Sequence, residues 1–477
     1  MNDAKTKSNE PIPAPPKGLM VLALVGPSFI WCAEYIGSGE VVLATRTGAI
    51  LGSGVLWAII AVIFLKYWIG MSGARYTVCT GEGMIDMFDR IPGPRHWVVW
   101  VVLVVQIFAA IIAIAALANV AGLFFASIIG AETRLVQIIC GWAVSISAVL
   151  IVWSGAFKVL KTVMSVLVLI IVLGTAYVAI RVFPGASEFL HSLIPNVPVV
   201  PEWAIAKGVG SNAWKEILPL LGWGAGGFAS QVWYSYWVLG AGYGAAKGRG
   251  DGRPADVNAL KNMDSDIAHK IKGWCRVLYT DATIAVIIGI VVTGSFLIAG
   301  AGVLRPRELA PDGPGVAITL SQIFSANWGR VGAFLFLLAG SAALVSTQIG
   351  QLAGWPRLLS DCCRICLPSI SQKYSWKTLY RFWLVLFFFT SMVIIYTLGY
   401  QPVYLIKVGS ILDGLLLTPL QAICVAVGLF YVLPKILSPQ ASRILKTSWI
   451  FLIGLAAAFI VFAFFCIFKI PDAIFAK

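Results

Sequence analysis

Eleven apolar runs divide the chain, at 19–50, 54–80, 97–128, 133–154, 159–183, 212–245, 275–302, 328–354, 376–399, 402–434 and 446–470. Each reaches or exceeds the roughly 20 residues that an α-helix needs to cross a bilayer. Hydrocarbon offers a backbone no outside hydrogen-bond partner, so runs of this length fold as helices that satisfy themselves. With 59% of 477 residues hydrophobic and 12% charged, the chain reads as an all-α polytopic membrane protein.

Charge placement sets the expected topology. The segment 1–18 is polar and Pro-rich and has no short apolar core before a small-residue cleavage site, so it reads as a disordered cytosolic tail, not a signal peptide. With that tail inside, one side collects Arg75, Arg90 and Arg95, then Lys158 and Lys161, then the basic residues of a cytosolic loop 246–272, then Arg357, Arg364, Lys373, Lys377 and Arg381, and finally Lys435, Arg443 and Lys446. The other side holds fewer, among them Arg46, Arg134 and Arg181, then Lys207 and Lys215 in and after an extracytoplasmic loop 184–211. The positive-inside rule then puts the N-terminus in the cytosol and the C-terminus outside, in a plasma or bacterial inner membrane. It also accounts for the net charge of +14 without nucleic acid as a partner. Six of the nine cysteines lie in or beside spans as small apolar residues; Cys362, Cys363 and Cys366 cluster after the eighth span, where plain thiols, palmitoylation or zinc are open readings.

Two spans are interrupted. The first carries Gly37-Ser38-Gly39 between Glu34 and Glu40; the sixth, five spans later, carries Gly222, Gly224, Gly226 and Gly227. Unwinding exposes amides and carbonyls, so such breaks must line a cavity or be buried against other helices. A matched pair of breaks in two halves is the mark of an inverted-repeat transporter with its site at the midplane. Glycine can instead serve close helix packing, a reading that explains one such span better than two. An ionised carboxylate at this depth is costly and points to function. Glu34 and Glu40 each stand three residues from Gly37, so one helical turn on either side can aim both at the break. Trp31, Tyr35 and the run Val232-Trp233-Tyr234-Ser235-Tyr236-Trp237 add aromatic faces that suit either packing or an ammonium group. Lys66, Asp281, Lys407 and Asp413 are further embedded charges, and pairing of Glu40 with Lys66 or Arg46 would make the site a structural ion pair. No phosphate-binding glycine loop, nucleophile–base pair or His-based metal set is evident, so neither an ATP-driven pump nor an enzyme is expected, and no cofactor.

Residues in order along the chain resemble the NRAMP (natural resistance-associated macrophage protein) family of divalent metal transporters: Gly26-Pro27, Tyr35-Ile36, Gly39 and Gly48-Ala49; Ala74-Arg75 and Thr80-Gly81; Leu117-Ala118 and Gly122; Asn262 to Ser265; and Leu352-Ala353-Gly354. The resemblance covers nearly the whole chain. It implies a LeuT-type fold (APC superfamily), an inverted 5+5 repeat with about 11 transmembrane helices and helices 1 and 6 broken. The first repeat would be 19–183, the second 212–434, and the last helix 446–470. It also implies secondary active transport.

The resemblance places the family's metal-binding Asp on Gly37, its Asn on Glu40, and its sixth-helix Met-Pro-His-Asn on Phe228, Ala229, Ser230 and Gln231. Its proton-handling acids fall on Ala109, Ala116 and Asn119, and a later His on Ser235. Losing the thioether argues against a soft-metal site, whereas oxygen ligands suit hard ions such as magnesium. The expected function is therefore transport of a cation, most simply a divalent metal ion, by alternating access without the usual proton coupling. Glu40 and Gln231 would be the metal ligands, with Gly37, Phe228, Glu34 and Ser230 around them, and Asp413, Asn119 and Asp281 on a coupling route or pathway. A transporter of an organic cation or amino-acid-like substrate, or a non-transporting receptor on the same fold, is the alternative.

Overall fold

The computed structural model describes residues 12–475 apart from 17, 19, 24, 155 and 156. Residues 1–11 of the segment read as a disordered tail lie outside the described residues. Residues 12–16 are not loose: the Pro13 carbonyl accepts from Trp274 Nε1 at 2.9 Å, and a Cβ on Gly273 would meet Pro15 at 2.3 Å.

The first span is two helices, α1 (Pro27–Tyr35) and a second that begins with a π-helical turn at Gly39–Ala44 and continues as α2 (Thr45–Leu51). There follow α3 (Leu56–Thr80), a short α4 (Met84–Asp89), α5 (Trp97–Ile129), α6 (Arg134–Ser154) and α7 (Phe157–Arg181). The sixth span is again two helices, α8 (Trp214–Trp223) and α9 (Phe228–Ala241). The second half continues with α10 (Ser265–Ala299), α11 (Val316–Cys366) and α12 (Trp376–Leu398). The tenth span is α13 (Pro402–Gly414) and α14 (Thr418–Val427), the latter prolonged to Ile436, and the eleventh is α15 (Trp449–Phe464), prolonged to Phe475.

Eight helical stretches are each long and apolar enough to cross a membrane. The first and sixth spans fail that test for a physical reason. Each is cut into pieces of 14 residues or fewer by its break, too short to cross alone. With α7, which is 25 residues long, they bring the spans to eleven among the described residues.

Three boundaries differ from the hydropathy reading. α10 begins at Ser265, ten residues before the expected span and inside the expected loop 246–272, because Asp264 Oδ1 accepts from the Ile267 amide at 2.7 Å and caps it. Polar first turns hide that start from hydropathy. The eighth span, expected at 328–354, sits within the 51-residue α11, bent where Gly329 takes φ 56° and ψ −142°. Cys362, Cys363 and Cys366 are therefore buried in the last turns of a helix, not in a juxtamembrane loop. The tenth span is interrupted at 415–417, which the sequence reading took as continuous.

α5 is the central post of the scaffold and is packed on by α6, α11, α12 and α13. Its stretch Ala109–Ala126 is almost wholly buried and rich in alanine. A Cβ on Gly122 would lie 2.4 Å from the Gly141 amide nitrogen, so α5 and α6 touch backbone to backbone. Lipid tails are as apolar as leucine, so helices in a bilayer associate through such close packing and through hydrogen bonds.

Candidate functional site

The two breaks face each other at the centre of the bundle. Proline at the first helical position starts α1, and Asp281 of α10 takes up the amides that this start leaves unpaired: it accepts from Gly26 N (3.1 Å), Ser28 N (3.0 Å) and Ser28 Oγ (2.9 Å), and from Tyr234 of α9 through its hydroxyl (2.7 Å). Asp281 thus anchors the entry of the broken helix. At the first break the Gly37 amide donates to Glu40 Oε2 at 3.3 Å, and Thr347 Oγ1 of α11 donates to the Ile36 carbonyl at 3.3 Å. Gly37 is required here, since a Cβ would stand 2.3 Å from Thr347 Oγ1.

Glu40 also reaches the second break. Its Oε1 accepts from the Ala225 amide at 3.2 Å and from Thr293 Oγ1 of α10 at 3.3 Å. One fully buried carboxylate thereby ties both breaks together. Neither expected neutralising partner is bonded to it. Arg46 instead grips Glu216 of α8 through Nε (3.0 Å) and Nη2 (3.1 Å), and Glu216 also receives Lys407 Nζ of α13 at 2.6 Å. Arg46 further pairs with Asp312 at 3.1 Å, closing a charged cluster on the face that carries the 184–211 connection. Lys66 of α3 donates to the second break itself, through four carbonyls: Leu221 (2.8 Å), Gly222 (2.7 Å), Gly224 (3.1 Å) and Gly226 (2.6 Å).

The third charge on the second break is Asp413, in the last turn of α13. Its Oδ1 accepts from the Ala229 amide at 3.0 Å and its Oδ2 from Trp223 Nε1 at 3.1 Å. A carboxylate at the start of α9 meets the positive end of that helix's dipole. Gly227 is needed for the approach, because a Cβ there would lie 1.9 Å from Asp413 Oδ2.

A cavity of about 20 Å³ lies between the breaks, lined by Glu34, Tyr35, Ser38, Gly39, Trp223, Gly226, Gly227, Trp233, Thr347, Gln351 and Asp413. Two carboxylates, two hydroxyls and an amide therefore face one small space. Glu34 Oε2 accepts from Ser230 Oγ at 2.5 Å, and that hydroxyl accepts from Trp31 Nε1 at 2.9 Å. Gln351 Oε1 is buried without a hydrogen-bond partner.

Of the residues expected at the site, Glu34, Glu40, Gly37, Ser230 and Asp413 gather at the breaks. Gln231 does not join Glu40: its two amide atoms are buried and unpartnered in a separate small cavity beside Trp31, Tyr35, Lys66 and Ala225. Phe228 is 1% exposed and packs against Phe88, while its carbonyl accepts from Gln421 at 3.2 Å. Asn119 lies apart, donating to the Gly399 carbonyl at 2.9 Å where α12 ends. Among the described residues no group of three or more His, Cys, Asp or Glu side chains is arranged to hold a metal ion. The aromatics read as packing or ammonium-binding faces are buried at the breaks: Trp31 stacks on Tyr234 with ring centroids 4.3 Å apart, and Tyr35 donates to the Ala285 carbonyl at 2.8 Å. Thr293, Thr347 and Gln351 were not singled out from sequence. Their only signal is polarity in an apolar helix, which many buried hydroxyls and amides share.

At the opposite end a second charged cluster joins α4, α9 and α11. Arg364 pairs with Asp86 (2.6 Å) and Asp361 (3.4 Å), and Asp361 accepts from Tyr236 (2.8 Å) and Trp376 (3.0 Å). Next to it, Glu82 accepts from Arg90 (2.8 Å twice), Tyr76 (2.6 Å) and the Ala255 amide (2.6 Å). Burial pushes the Glu82 carboxyl up, but Arg90 and the other donors outweigh it and hold it below the usual carboxylate range.

Paired interrupted helices five spans apart, packed against a scaffold of long helices, define a LeuT-type fold. The same architecture is found in a mutant of the manganese transporter of Eremococcus coleocola, with a TM-score of 0.69 at 16% identity, over 100% of this chain and 93% of that one. It is found again in that transporter in complex with an aromatic bis-isothiourea substituted compound, with a TM-score of 0.65 at 15% identity over 99% and 92% of the two chains. A family model described as Nramp, natural resistance-associated macrophage protein-like, matches residues 28–209. The divalent metal cation transporter MntH of Yersinia enterocolitica is 31% identical over 77 residues, which span 16% of this chain and 19% of that protein's length. Over residues 28–209 the chain is thus similar to the Nramp-like family, and glycine and phenylalanine stand at 37 and 228, where the resemblance places the usual metal-binding Asp and Met.

Proposed function

We propose that the chain is a secondary transporter that moves a cation, in the first instance a divalent metal ion, by alternating access around the cavity between the two breaks. The observation that carries this reading is that Glu34 and Asp413 line one small cavity with Ser38, Thr347 and Gln351. Such a shell offers oxygen and no sulfur, which favours a hard ion such as magnesium, held with part of its water. Glu40, which accepts from an amide of each break and from Thr293, acts as the strut that keeps the cavity in shape. The charged clusters at the two ends, around Glu216 and around Asp361, are the natural gates, since each joins elements that must separate for the cavity to open on that side. The N-terminus belongs in the cytosol and the C-terminus outside, as the basic loops suggest.

Transport runs without obligatory proton coupling. Positions 109 and 116 carry alanine, and Asn119 is committed to the Gly399 carbonyl. The test is reconstitution in liposomes with a Mg2+ or Mn2+ reporter and a pH dye. Metal uptake that falls to background in Glu34→Gln is the expected result. Metal permeation no faster than in empty liposomes would remove the metal reading, and stoichiometric acidification would remove the uncoupled one.

One observation favours an organic cation as the second reading: Trp223, Trp233 and Tyr35 share the cavity with the two acids, which suits an alkylammonium group. A thermal shift with amines and none with metal ions would select it.

A further inference from the structure

Lys66 is 2% exposed in the middle of α3, and its ammonium donates hydrogen bonds to backbone carbonyl oxygen alone. Four backbone carbonyls lie within 3.1 Å; among the described residues no carboxylate forms an ion pair with it, and Asp413 and Glu40 act on its charge from farther away. An ammonium has three hydrogens to donate, so four acceptors at this range match a protonated amine with one shared bond. The carbonyls are free for a reason written into the chain. α8 ends at Trp223, which leaves its last carbonyls without intrahelical partners at the negative end of the helix dipole. Ala225 at φ 54° and Gly226 at φ 82° then reverse the backbone and turn two more carbonyls toward the same point. The same short turn shows its other side to Glu40, through the Ala225 amide. One unwound segment is therefore held between an anion on its N–H side and a cation on its C=O side.

A ring of carbonyls at these distances is the device by which a protein replaces the hydration shell of a monovalent cation. We propose that the α8–α9 break is a monovalent-cation site and that Lys66 is its tethered occupant, so the chain supplies from α3 the charge that a dissolved ion would otherwise bring. A built-in occupant fixes α3 to the break at full occupancy, whatever the surrounding salt, and removes these carbonyls from any set of ligands for a transported ion. The inference is read by unfolding and not by flux, so it stands or falls apart from the transport reading above.

The experiment compares full-length wild type, Lys66→Ala and Lys66→Met by thermal unfolding in a buffer whose only cation is N-methyl-D-glucamine, with added ammonium, methylammonium, potassium or lithium chloride. The wild type is expected to be indifferent to all four. Lys66→Ala is expected to melt several degrees lower and to regain at least half of that loss, saturably, with ammonium or methylammonium, less with potassium, and not with the smaller lithium. Lys66→Met fills the space with an apolar chain and is expected to stay low in every salt. An alanine variant that no monovalent cation rescues, that is rescued to the same extent as the methionine variant, or that matches the wild type in cation-free buffer would overturn the proposal. A wild-type measurement covers the case in which neither variant folds. Reductive methylation of the native protein, read by mass spectrometry, must leave Lys66 unmodified while exposed lysines react; methylation at Lys66 to the same extent would show that the ammonium leaves the ring freely and would equally overturn it.

Discussion

The two breaks share a shape and differ in how they are held. The first is held largely by near neighbours and by neutral groups: Glu40 three residues away, and the Ser346 and Thr347 hydroxyls of α11 on the Ala33 and Ile36 carbonyls. The second is held by three charges from three other helices, Glu40, Lys66 and Asp413, between 155 and 190 residues from the atoms they bind. A break tied by hydroxyls can give by small rotations of a side chain. One tied by buried ions cannot release any of them without leaving a charge or a backbone group unpaired, which costs about 1–3 kcal/mol for each neutral group and more for an ion. The first break is therefore the compliant element and the second the rigid one.

The largest expected effect attacks the residue common to both. Glu40→Ala strands the Gly37 and Ala225 amides, and a loss of about 3 kcal/mol or more is expected, with transport at background. Glu40→Gln keeps an acceptor and should fold, yet lose most flux; wild-type flux in Glu40→Gln would show that its charge is not needed. Next is a contrast between glycines. Gly227→Ala drives a Cβ to 1.9 Å from Asp413 Oδ2 and against the Gly414 backbone and should lower the melting temperature by several degrees, whereas Gly37→Ala meets the Thr347 side chain alone, at 2.3 Å from Oγ1 and 2.8 Å from Cβ, and should cost less. Equal losses would deny that the second break is the stiffer.

Smaller is Ala225→Gly. A non-glycine residue at φ 54° stores about 1 kcal/mol, so the variant should melt slightly higher, and a lower melting temperature would mean that the methyl group packs more than it strains. Smallest is a pH effect away from the membrane interior. The folded state holds the Glu82 carboxyl below its unfolded value, so its contribution is present above the unfolded value near 4.3 and is lost as the pH falls further. Glu82→Gln should flatten that acid limb of the melting temperature without moving its value at pH 7 upward.

What the sequence showed and what it hid follow the same division. The first break could be read because its cause is local: Gly37-Ser38-Gly39 with Glu40 one turn on. The existence of the second was legible from its glycines. Its partners were not, because no pattern says that Lys66 of α3 will point at carbonyls and not at Glu40. Hydropathy placed eleven spans, but it missed the start of α10, where a capped helix opens with polar turns, and the interruption after Asp413, where Leu415, Leu416 and Leu417 keep the run apolar while the helix stops. Gln231 shows the limit of inheritance by position. The resemblance put it beside Glu40, and the backbone turn at Ala225 and Gly226 is accompanied by its placement in a different cavity.

The cluster around Glu216 has a kinetic consequence. The open depression on that face is lined by Arg46, Lys207, Lys215 and Lys407 against Glu216 and Asp312 only, so its lining is net positive. A cation arriving from this side climbs a repulsive field that dissolved salt screens within about 8–10 Å. On the proposed function, entry from this face should speed up as ionic strength rises, leaving the two sides unequal even where the central cavity treats both alike.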